Sequence, residues 1–507
     1  MFLSLRRPRT ARWVLASGLS ACVLGASPPA QAATPAAGLV WDACPNPDGA
    51  AERAGLSVEC ATLPVPIDWS RPDGPKVNLA LARTRAASPA KRIGALLVNP
   101  GGPGASGVAY VSDPASFGPA LRDSFDIVSW DPRGIAGSQP LSCDTTGFDG
   151  RLLFPRTAEQ LAAVTEQSRR IGDSCRQRSG PLAEHLDTLS VARDLEAVRL
   201  ALGEERISFY GKSYGTQIGQ HYAELFGDRL RAAALDSNID HSLDTLGYQR
   251  TQAESLETLI GEFAAWCRRT TGCALGQTDA KALVARLLDR ADRGQLGTWR
   301  TDQVQMALLL GTYSPAGWPE LAAQLKRLDG PEPPAPSPDN DIHPDLIPFY
   351  YPVTCPDNRW RLTGYDQLVR YEQQTRQAAP TVRYSPLAWS DLTSCHGWPA
   401  PVRNPQHQLR PRPGTPPILV AAIRHDPATP YAWSVAVHRQ LPGSTLLTYD
   451  GAGHVVYRNS PCGRELIERY LLTLDRPKAG THCPARWPTQ GASGARSGSV
   501  PAPLPHR

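Results

Sequence analysis

The stretch "YGKSYGTQIG", residues 210–219, decides the fold. It places Ser213 between two glycines at GxSxG spacing, where a strand-like run gives way to a helix-like one. A glycine two residues to either side is what a very sharp strand-to-helix turn requires, because side chains there would collide with the neighbouring strand and helix. Such a turn exposes one hydroxyl, and Ser213 is therefore the candidate nucleophile.

Short apolar runs bounded by Gly, Pro or Asp predict buried strands on both sides of this turn. A helical pattern with Gly203 as its stop, residues 190–203, comes shortly before it. Strands that alternate with helices predict a parallel sheet, so the expected fold class is α/β. The predicted strands are residues 93–100, 125–131, 207–211, 231–237, 417–426 and 444–451.

The alternation breaks between about residues 240 and 416, where helical patterns lead into a proline-rich stretch that predicts no regular element. We interpret this region as a mostly helical insertion that lies over the carboxyl edge of the sheet as a lid. The predicted order is an export signal (1–33), the first part of the core (34–240), the lid (241–415), the second part of the core (416–487) and a disordered tail (488–507).

Charge and hydrophobicity argue against a nucleic-acid-binding protein and against a membrane-spanning one. The formal charge is +5, but Arg6, Arg7, Arg9 and Arg12 lie in the first 33 residues, where there is no Asp or Glu. The rest of the chain is nearly neutral, so nothing favours nucleic-acid binding. No later segment approaches the roughly 20 apolar residues of a bilayer span, so no stable membrane span is predicted.

Residues 1–33 indicate export. They have a positively charged start, an apolar run (residues 13–26) and an AxA site at residues 30–32, a pattern typical of a signal peptide. We therefore expect a secreted protein. The motif "LSAC", which ends at Cys22, also resembles a bacterial lipobox, so a lipid anchor on Cys22 at the cell surface is the alternative.

The cysteines favour disulfides formed in an oxidising compartment. The chain has 11, and removing Cys22 with the signal leaves an even number. None forms a CxxC pair, which argues against a zinc ribbon or a thioredoxin-type site. The sequence cannot prove the connectivity, but neighbours in order give a plausible set: Cys44–Cys60, Cys143–Cys175, Cys267–Cys273, Cys355–Cys395 and Cys462–Cys483.

A serine nucleophile needs a histidine to take its proton and a carboxylate to orient that histidine. These partners should lie at strand ends on the same edge of the sheet. Of the histidines that follow the last plausible acid, His438 lies in a helical run, His482 adjoins a predicted disulfide and His506 lies in the tail. His454, in "YDGAGHVV", follows a strand through small residues and is therefore the predicted base.

For the acid we expect Asp426 in "AAIRHDPATP", because it ends the penultimate strand and gives the chain order serine, acid, histidine. Asp236 also ends a strand near the site and is the main rival. Asp450 is too close to His454 in sequence to reach its far nitrogen easily. His425 is expected to be a structural neighbour rather than a participant.

Attack on a carbonyl places negative charge on oxygen, which preorganised N–H donors must stabilise. The glycine-rich stretch "NPGGPGASG", residues 99–107, follows the first strong buried strand and permits close backbone approach. We expect the amides of Gly102 and Tyr214 to form this oxyanion hole, with Gly101 as the alternative donor. GxSxG, "DPRG" (residues 131–134) and "GAGH" each have an ordinary structural explanation, and it is their joint order that indicates catalysis.

Together these stretches resemble a known family. "LLVNPGGPGASG", "SWDPRGIAGSQP", "YGKSYGTQIGQHYAELF", "HDPATP" and "GAGH" are similar to the secreted tripeptidyl aminopeptidases of actinobacteria, in the proline iminopeptidase branch of the α/β-hydrolase serine peptidases. The resemblance covers about residues 41–483. It implies an α/β-hydrolase fold, Ser213, Asp426 and His454 as the triad, no metal or other cofactor, and release of short peptides, tripeptides in particular, or single residues from free N-termini. "TCPDNRW" and "SCHGWP" resemble paired cysteine motifs of that family, which supports Cys355–Cys395.

One departure from the family is Ser237 in "LDSN", where glycine is usual. In relatives, lid carboxylates bind the ammonium group of the substrate, because a buried cation needs a partner. The candidates here are Asp357, Glu254 and Glu257. Two alternatives stay open: a secreted esterase or amidase with the same triad, and a hydrolase-like shell that binds without catalysis.

Overall fold

One 10-stranded sheet organises residues 38–45 and 55–489, the residues that the computed structural model describes. Its order is β1-β2-β3-β5-β4-β6-β7-β8-β9-β10. Strands β1, β2, β3 and β5 pair antiparallel with one another, and all other neighbours are parallel. The predicted α/β fold with a mostly parallel sheet is confirmed. The strands are β1 (Asp42–Ala43), β2 (Glu59–Pro66), β3 (Lys76–Thr84), β4 (Gly94–Asn99), β5 (Phe125–Trp130), β6 (Ile207–Lys212), β7 (Leu230–Asp236), β8 (Leu419–His425), β9 (Thr445–Ala452) and β10 (His482–Cys483).

The six predicted strands correspond to β4 to β9. Strand β4 is buried at every position, and strands covered on both faces appear in the sequence as continuous apolar runs. A search for such runs misses β1, β2, β3 and β10. Strand β3 instead alternates buried and exposed residues over its first half, and β1 and β10 are only two residues long.

Helices pack on both faces of the sheet. Ala95 and Leu97 of β4 lie in one apolar cluster with Ile218, whereas Leu96 and Val98 lie in another with Ile467. Because successive side chains of a strand point to opposite faces, the two clusters are the two sides of one sheet. The described helices are α1 (Gly107–Ser112), α2 (Pro119–Ser124), α3 (Ala158–Ser179), α4 (Thr188–Ala201), α5 (Tyr214–Phe226), α6 (Thr245–Arg269), α7 (Ala280–Asp292), α8 (Thr301–Thr312), α9 (Trp318–Leu328), α10 (Ile347–Thr354), α11 (Tyr365–Ala378), α12 (Pro386–Gly397), α13 (Tyr431–Gln440), α14 (Val456–Asn459) and α15 (Pro461–Thr473).

Along the chain, helices α6 to α12 come between β7 and β8. We refer to residues 241–415 as the lid. Much of the lid has its own apolar cluster, in which Phe263, Leu287 and Trp318 are buried. The proline-rich stretch contains short 3-10 turns, and α10 begins near its end, at Ile347. The lid contacts the carboxyl ends of the core strands: Ser255 Oγ donates to the carbonyl of Asp426 at 2.6 Å.

The structure confirms the five predicted disulfides, Cys44–Cys60, Cys143–Cys175, Cys267–Cys273, Cys355–Cys395 and Cys462–Cys483. The predicted signal, Cys22, His506 and most of the predicted tail lie outside the described residues. Within the described part of the chain, no helix combines the length and apolar character needed to cross a bilayer.

Candidate active site

Ser213 occupies the sharp turn between β6 and α5. Its backbone lies at φ 55° and ψ −128°, a conformation that non-glycine residues rarely adopt and that is typical of strained functional turns. A Cβ atom at Gly211 would come within 2.3 Å of the Gly215 carbonyl oxygen, and one at Gly215 within 2.6 Å of the Asn99 carbonyl oxygen. The two glycines therefore allow the backbone contacts that the turn needs.

Asp426 and His454 form a hydrogen-bonded pair at the ends of β8 and β9. His454 Nδ1 lies 2.9 Å from each carboxylate oxygen of Asp426, whose side chain is fully buried. The amides of Ala428 and Thr429 both donate to Asp426 Oδ1 at 2.9 Å. Since these donors fix the orientation of the carboxylate, Asp426 is held as an acceptor for the His454 Nδ1–H. That arrangement leaves Nε2 as the nitrogen able to accept a proton.

Asp236, the rival acid, is a fully buried carboxylate that supports the turn after His454. Its two oxygens accept the amides of Val456 at 2.7 Å and Tyr457 at 2.9 Å, and its backbone carbonyl accepts the amide of Ser213 at 2.9 Å. Burial raises the pKa of Asp236 to about 6. One residue thus connects the serine turn to the histidine loop.

No hydrogen bond joins Ser213 Oγ to His454 in the described chain, and catalytic contacts of this kind often tighten only when substrate binds.

Ser237, the residue after Asp236, also holds the loop that follows His454, because its Oγ accepts the amide of Val455 at 3.0 Å. Ser237 and Val455 have φ values of 62° and 75°, which are unfavourable for residues with side chains. Two strained residues therefore meet through one hydrogen bond directly after His454.

The glycine loop distinguishes the predicted oxyanion donors. The Gly101 amide donates to Asn99 Oδ1 at 2.9 Å, so it is already used. Within the described residues the amides of Gly102 and Tyr214 donate to no protein acceptor. A Cβ atom at Gly101 would lie 3.1 Å from the Tyr214 amide nitrogen, so the loop and the serine turn are in contact. Gly102 and Tyr214 are accordingly the better placed of the predicted donors.

The "DPRG" motif is a buried support for this loop rather than a surface turn. Asp131 Oδ1 accepts the Ser106 hydroxyl at 2.6 Å and the Val108 amide at 3.1 Å, which fixes the end of the glycine loop. Arg133 is fully buried and binds Asp194 through two nitrogens, with Nε at 2.7 Å. These bonds anchor the segment that carries Asp131 to α4.

The carboxylates predicted to bind substrate ammonium already have partners. Asp357 is buried against the start of α4 and against α5, and it accepts hydrogen bonds from Thr188, Gln217 and Asn404. Glu257 accepts the amides of Thr381 and Val382 and pairs with Lys281. Glu254 lies on the exposed side of α6 and pairs with Arg250 at 3.2 Å.

Asp391, a residue that no sequence motif marks, is a buried carboxylate on lid helix α12. Tyr248 donates to its Oδ2 at 2.9 Å, and Oδ1 has no hydrogen-bond partner among the described residues. Burial raises the pKa of Asp391 to about 7. The sequence offers no signal for this position, since the aspartate lies inside an ordinary helical pattern.

Tyr313, which follows α8, packs against His454 of the predicted triad. Its backbone carbonyl accepts the His454 amide at 3.0 Å, and the centroids of its ring and the His454 ring are 5.4 Å apart. Burial, together with the nearby carboxylates of Asp426 and Asp391, raises the pKa of Tyr313. Tyr313 therefore lies within electrostatic reach of both carboxylates.

A serine on a strained strand-to-helix turn, followed along the chain by an acid and a histidine that bond to each other, defines a class of enzyme rather than a single activity. That class is the serine hydrolases built on a parallel sheet. Comparison with known proteins agrees: a family model described as "alpha/beta hydrolase fold" matches residues 94–337, and one described as "TAP-like protein" matches residues 381–483.

Relatives match over most of the chain. The chain is 31% identical to Serine protease Hip1 of Mycobacterium tuberculosis, across 87% of this chain and 90% of that protein. It is 32% identical to Carboxylesterase B of the same organism, across 84% and 86%, and 28% identical to Tripeptidyl aminopeptidase of Streptomyces lividans, across 86% and 85%. The chain belongs to the alpha/beta hydrolase family, with a TAP-like carboxyl-terminal region, and is a serine hydrolase similar to tripeptidyl aminopeptidases.

Proposed function

We propose that this chain is an exported serine exopeptidase that removes short peptides from free N-termini through an acyl-enzyme. The observation that carries the chemistry is the buried Asp426–His454 pair, whose carboxylate is held by two backbone amides. Similarity to a tripeptidyl aminopeptidase and a serine protease supports peptides as the substrate class. The first of these names supports tripeptides as the released product.

In the proposed reaction, His454 Nε2 takes the proton of Ser213 as the hydroxyl attacks the substrate carbonyl. Asp426 orients the imidazole and stabilises its charged form. The amides of Gly102 and Tyr214 stabilise the negative oxygen, each contributing roughly 3 kcal/mol to lowering the barrier in comparable sites. His454 then gives its proton to the leaving amine, and water attacks the acyl-enzyme to release the short peptide. These steps need no metal or other cofactor.

Preference for a free N-terminus is supported by Asp391. A buried carboxylate with one unpartnered oxygen favours a cationic partner, because an isolated charge at such a site is unfavourable. Helix α10 brings the glycine loop close to Asp391: Phe349 packs on Gly104, while the hydroxyl of the next residue, Tyr350, lies near the carboxylate. A substrate ammonium bound to Asp391 would therefore lie near the glycine loop that carries the proposed oxyanion donor Gly102.

Export is supported by the signal pattern of residues 1–33 and by the five disulfides, which persist in oxidising compartments. Release into the medium is the primary proposal. Anchoring through a lipid on Cys22 is the alternative, and detergent-phase partitioning of the wild-type chain and a Cys22→Ala variant distinguishes the two.

A second candidate function is an esterase or amidase that uses the same triad on small molecules. The specific observation in its favour is the 32% identity to a protein named Carboxylesterase B. The two functions differ in what they require of the substrate: the exopeptidase needs a free ammonium group, whereas the esterase does not.

The test uses purified protein and chromogenic tripeptide, prolyl and acyl-ester substrates, each with a free and an acetylated N-terminus where the chemistry allows. Activity that is lost on acetylation supports the exopeptidase, and activity retained on blocked esters supports the esterase. We expect Ser213→Ala to lower kcat by at least roughly 10⁴-fold and to abolish labelling by a fluorophosphonate, while circular dichroism stays unchanged. Turnover that survives in this variant would reject the nucleophile, and a wild-type chain inactive on every substrate would favour the non-catalytic shell.

A further inference from the structure

A second group of titratable side chains lies on α5, about 12 Å of helix rise beyond Ser213. His221 and Glu224 lie one turn apart on this helix, and His407 comes from the segment between α12 and β8. His241, from the segment after β7, completes a set of three imidazoles with ring centroids 5.2, 5.4 and 5.5 Å apart. Three of the chain's 11 histidines thus converge near one carboxylate.

The ligand-type atoms of three of these residues face one another. Glu224 Oε2 lies 2.9 Å from His221 Nδ1 and 3.2 Å from His407 Nε2, and the three atoms lie within 4.8 Å of one another. A tetrahedral Zn²⁺ ion with bonds of about 2.0–2.2 Å separates its ligand atoms by roughly 3.3–3.6 Å. Small side-chain shifts bring the two contacts of Glu224 to this spacing. The ion also needs the His221 proton on Nε2, which faces Asn404 Nδ2 at 3.0 Å, so the Asn404 amide must turn its oxygen toward that nitrogen.

The contacts of His407 require either a second proton on its ring or a metal ion between its Nε2 and Glu224. Its Nδ1 lies 2.8 Å from the Pro405 carbonyl oxygen, so Nδ1 carries a proton and donates it to that oxygen. In a neutral ring, Nε2 would then direct a lone pair at the carboxylate of Glu224. Either a second proton on His407 or a metal ion between the two atoms removes that conflict. A carbonyl on the far nitrogen is also the usual orienting contact of a metal-bound histidine.

His241 adds an unused nitrogen beside this group. Its Nε2 donates to the Asp357 carbonyl at 2.7 Å, so Nδ1 carries a lone pair. That Nδ1 is buried and has no partner in the described residues. The group therefore has an unused imidazole lone pair beside it.

We propose that His221, Glu224 and His407 bind a divalent transition-metal ion, with zinc as the best match to two imidazoles and one carboxylate. Solvent reaches the site, because the side chains of His407 and Glu224 are 38% and 12% exposed. The ion joins α5, which begins at the serine turn, to the last part of the lid, between α12 and β8. Its role is to fasten these two parts of the structure, and it takes no part in the reaction at Ser213.

The test measures zinc bound to the purified, chelator-treated full chain by equilibrium dialysis with metal analysis, and the visible spectrum of the Co²⁺ form. We expect one Zn²⁺ per chain and the intense absorption of tetrahedral cobalt. His407→Ala and Glu224→Gln should each weaken zinc binding at least tenfold. His482→Ala is the matched control, because His482 also bonds to a carboxylate, that of Asp450 at 2.9 Å, and should leave zinc binding unchanged.

Two results would overturn the proposal: no stoichiometric zinc on the wild-type chain, or equal zinc binding by the wild type and the two cluster variants. In either case the group is an ion pair between a doubly protonated His407 and Glu224. His407→Gln, which keeps a donor facing Glu224, replaces the alanine variant if that protein does not fold. The outcome is independent of the proposed peptidase activity, since fluorophosphonate labelling of Ser213 is measured on the same samples and is expected to be equal in all of them.

Discussion

The carboxyl edge of the sheet and the lid above it each contain a fully buried aspartate near the candidate active site, and their environments differ. Asp426, at the end of β8, accepts two backbone amides and contacts His454 with both oxygens. Asp391, on α12, accepts the Tyr248 hydroxyl on one oxygen and has no described partner on the other. The acid–histidine pair at the sheet edge is therefore formed without substrate, whereas one oxygen of the lid carboxylate still lacks a partner.

This difference assigns separate kinetic roles to the two regions. Groups that are already in place and act on the transition state change kcat, whereas a group whose partner is the substrate itself changes binding of the ground state as well. We therefore expect substitutions at the sheet edge to lower kcat for every substrate. Substitutions at Asp391 should raise KM only for substrates with a free amine.

The largest effect is expected for Asp426→Asn. The amide side chain keeps the shape of aspartate but stabilises the wrong tautomer of His454 and does not stabilise its charged form, and an equivalent change lowers kcat by about 10⁴-fold in a comparable triad. Steady-state kinetics on the best tripeptide and ester substrates check this value. A loss below tenfold, with Asp236→Asn more damaging, would move the acid to Asp236.

The next largest effect is expected for Asp391→Asn. Removing the charged partner of the ammonium group should lower kcat/KM for free-amine substrates about 10- to 100-fold, the value of one hydrogen bond to a charged group. The matched control is Glu254→Gln, whose carboxylate already pairs with Arg250 on the exposed side of α6 and should have little effect.

The same carboxylate predicts a pH dependence. Because burial raises the pKa of Asp391 to about 7, lowering the pH through 7 protonates the group that binds the ammonium. KM for free-amine substrates should therefore rise as the pH falls below about 7, and KM for N-acetylated esters should stay flat. In Asp391→Asn the dependence on pH below 7 should disappear. A KM that changes equally for both substrate types would place the ammonium group elsewhere.

The two regions also differ in how far the sequence predicts them. Strands β4 to β9 are covered on both faces, so they appear as apolar runs, and the site residues follow them at predictable positions. Such positions predict Ser213 as the nucleophile and His454 as the base. Ser213 lies on a turn with positive φ and His454 bonds to Asp426, while the catalytic roles stay predictions.

The lid residues could not be predicted in the same way. The sequence around Asp357, Glu257 and Asp391 predicts only helices or turns. The burial of each carboxylate and its hydrogen-bond partners depend on how helices distant in sequence pack together. Asp357 is satisfied by donors from α4 and α5, whereas Asp391 meets Tyr248 from α6. No local pattern distinguishes a carboxylate that is fully hydrogen-bonded from one with a free oxygen.

A smaller effect is expected for Asp236→Asn, because Asp236 acts through the histidine loop rather than on the reacting atoms. The amide can accept only one of the two bonds from Val456 and Tyr457, and an unsatisfied buried amide costs about 1–3 kcal/mol. We expect a lower unfolding temperature and a roughly tenfold fall in kcat. Thermal unfolding and kinetics on one preparation check both, and an unchanged kcat would show that the loop holds His454 without this carboxylate.

The smallest effects separate the two properties of Ser237. Ser237→Ala keeps the unfavourable φ of 62° and removes the acceptor for Val455, so it should lower both the free energy of unfolding, by about 1–3 kcal/mol, and kcat by a few-fold. Ser237→Gly also removes the acceptor but relieves the backbone strain, so its free energy of unfolding should lie closer to that of the wild type. If the hydroxyl positions His454, kcat should fall equally in the two variants despite their different stabilities. A kcat that instead follows stability would mean that Ser237 serves the fold alone, and the sheet edge would then depend on Asp236 to hold the histidine loop.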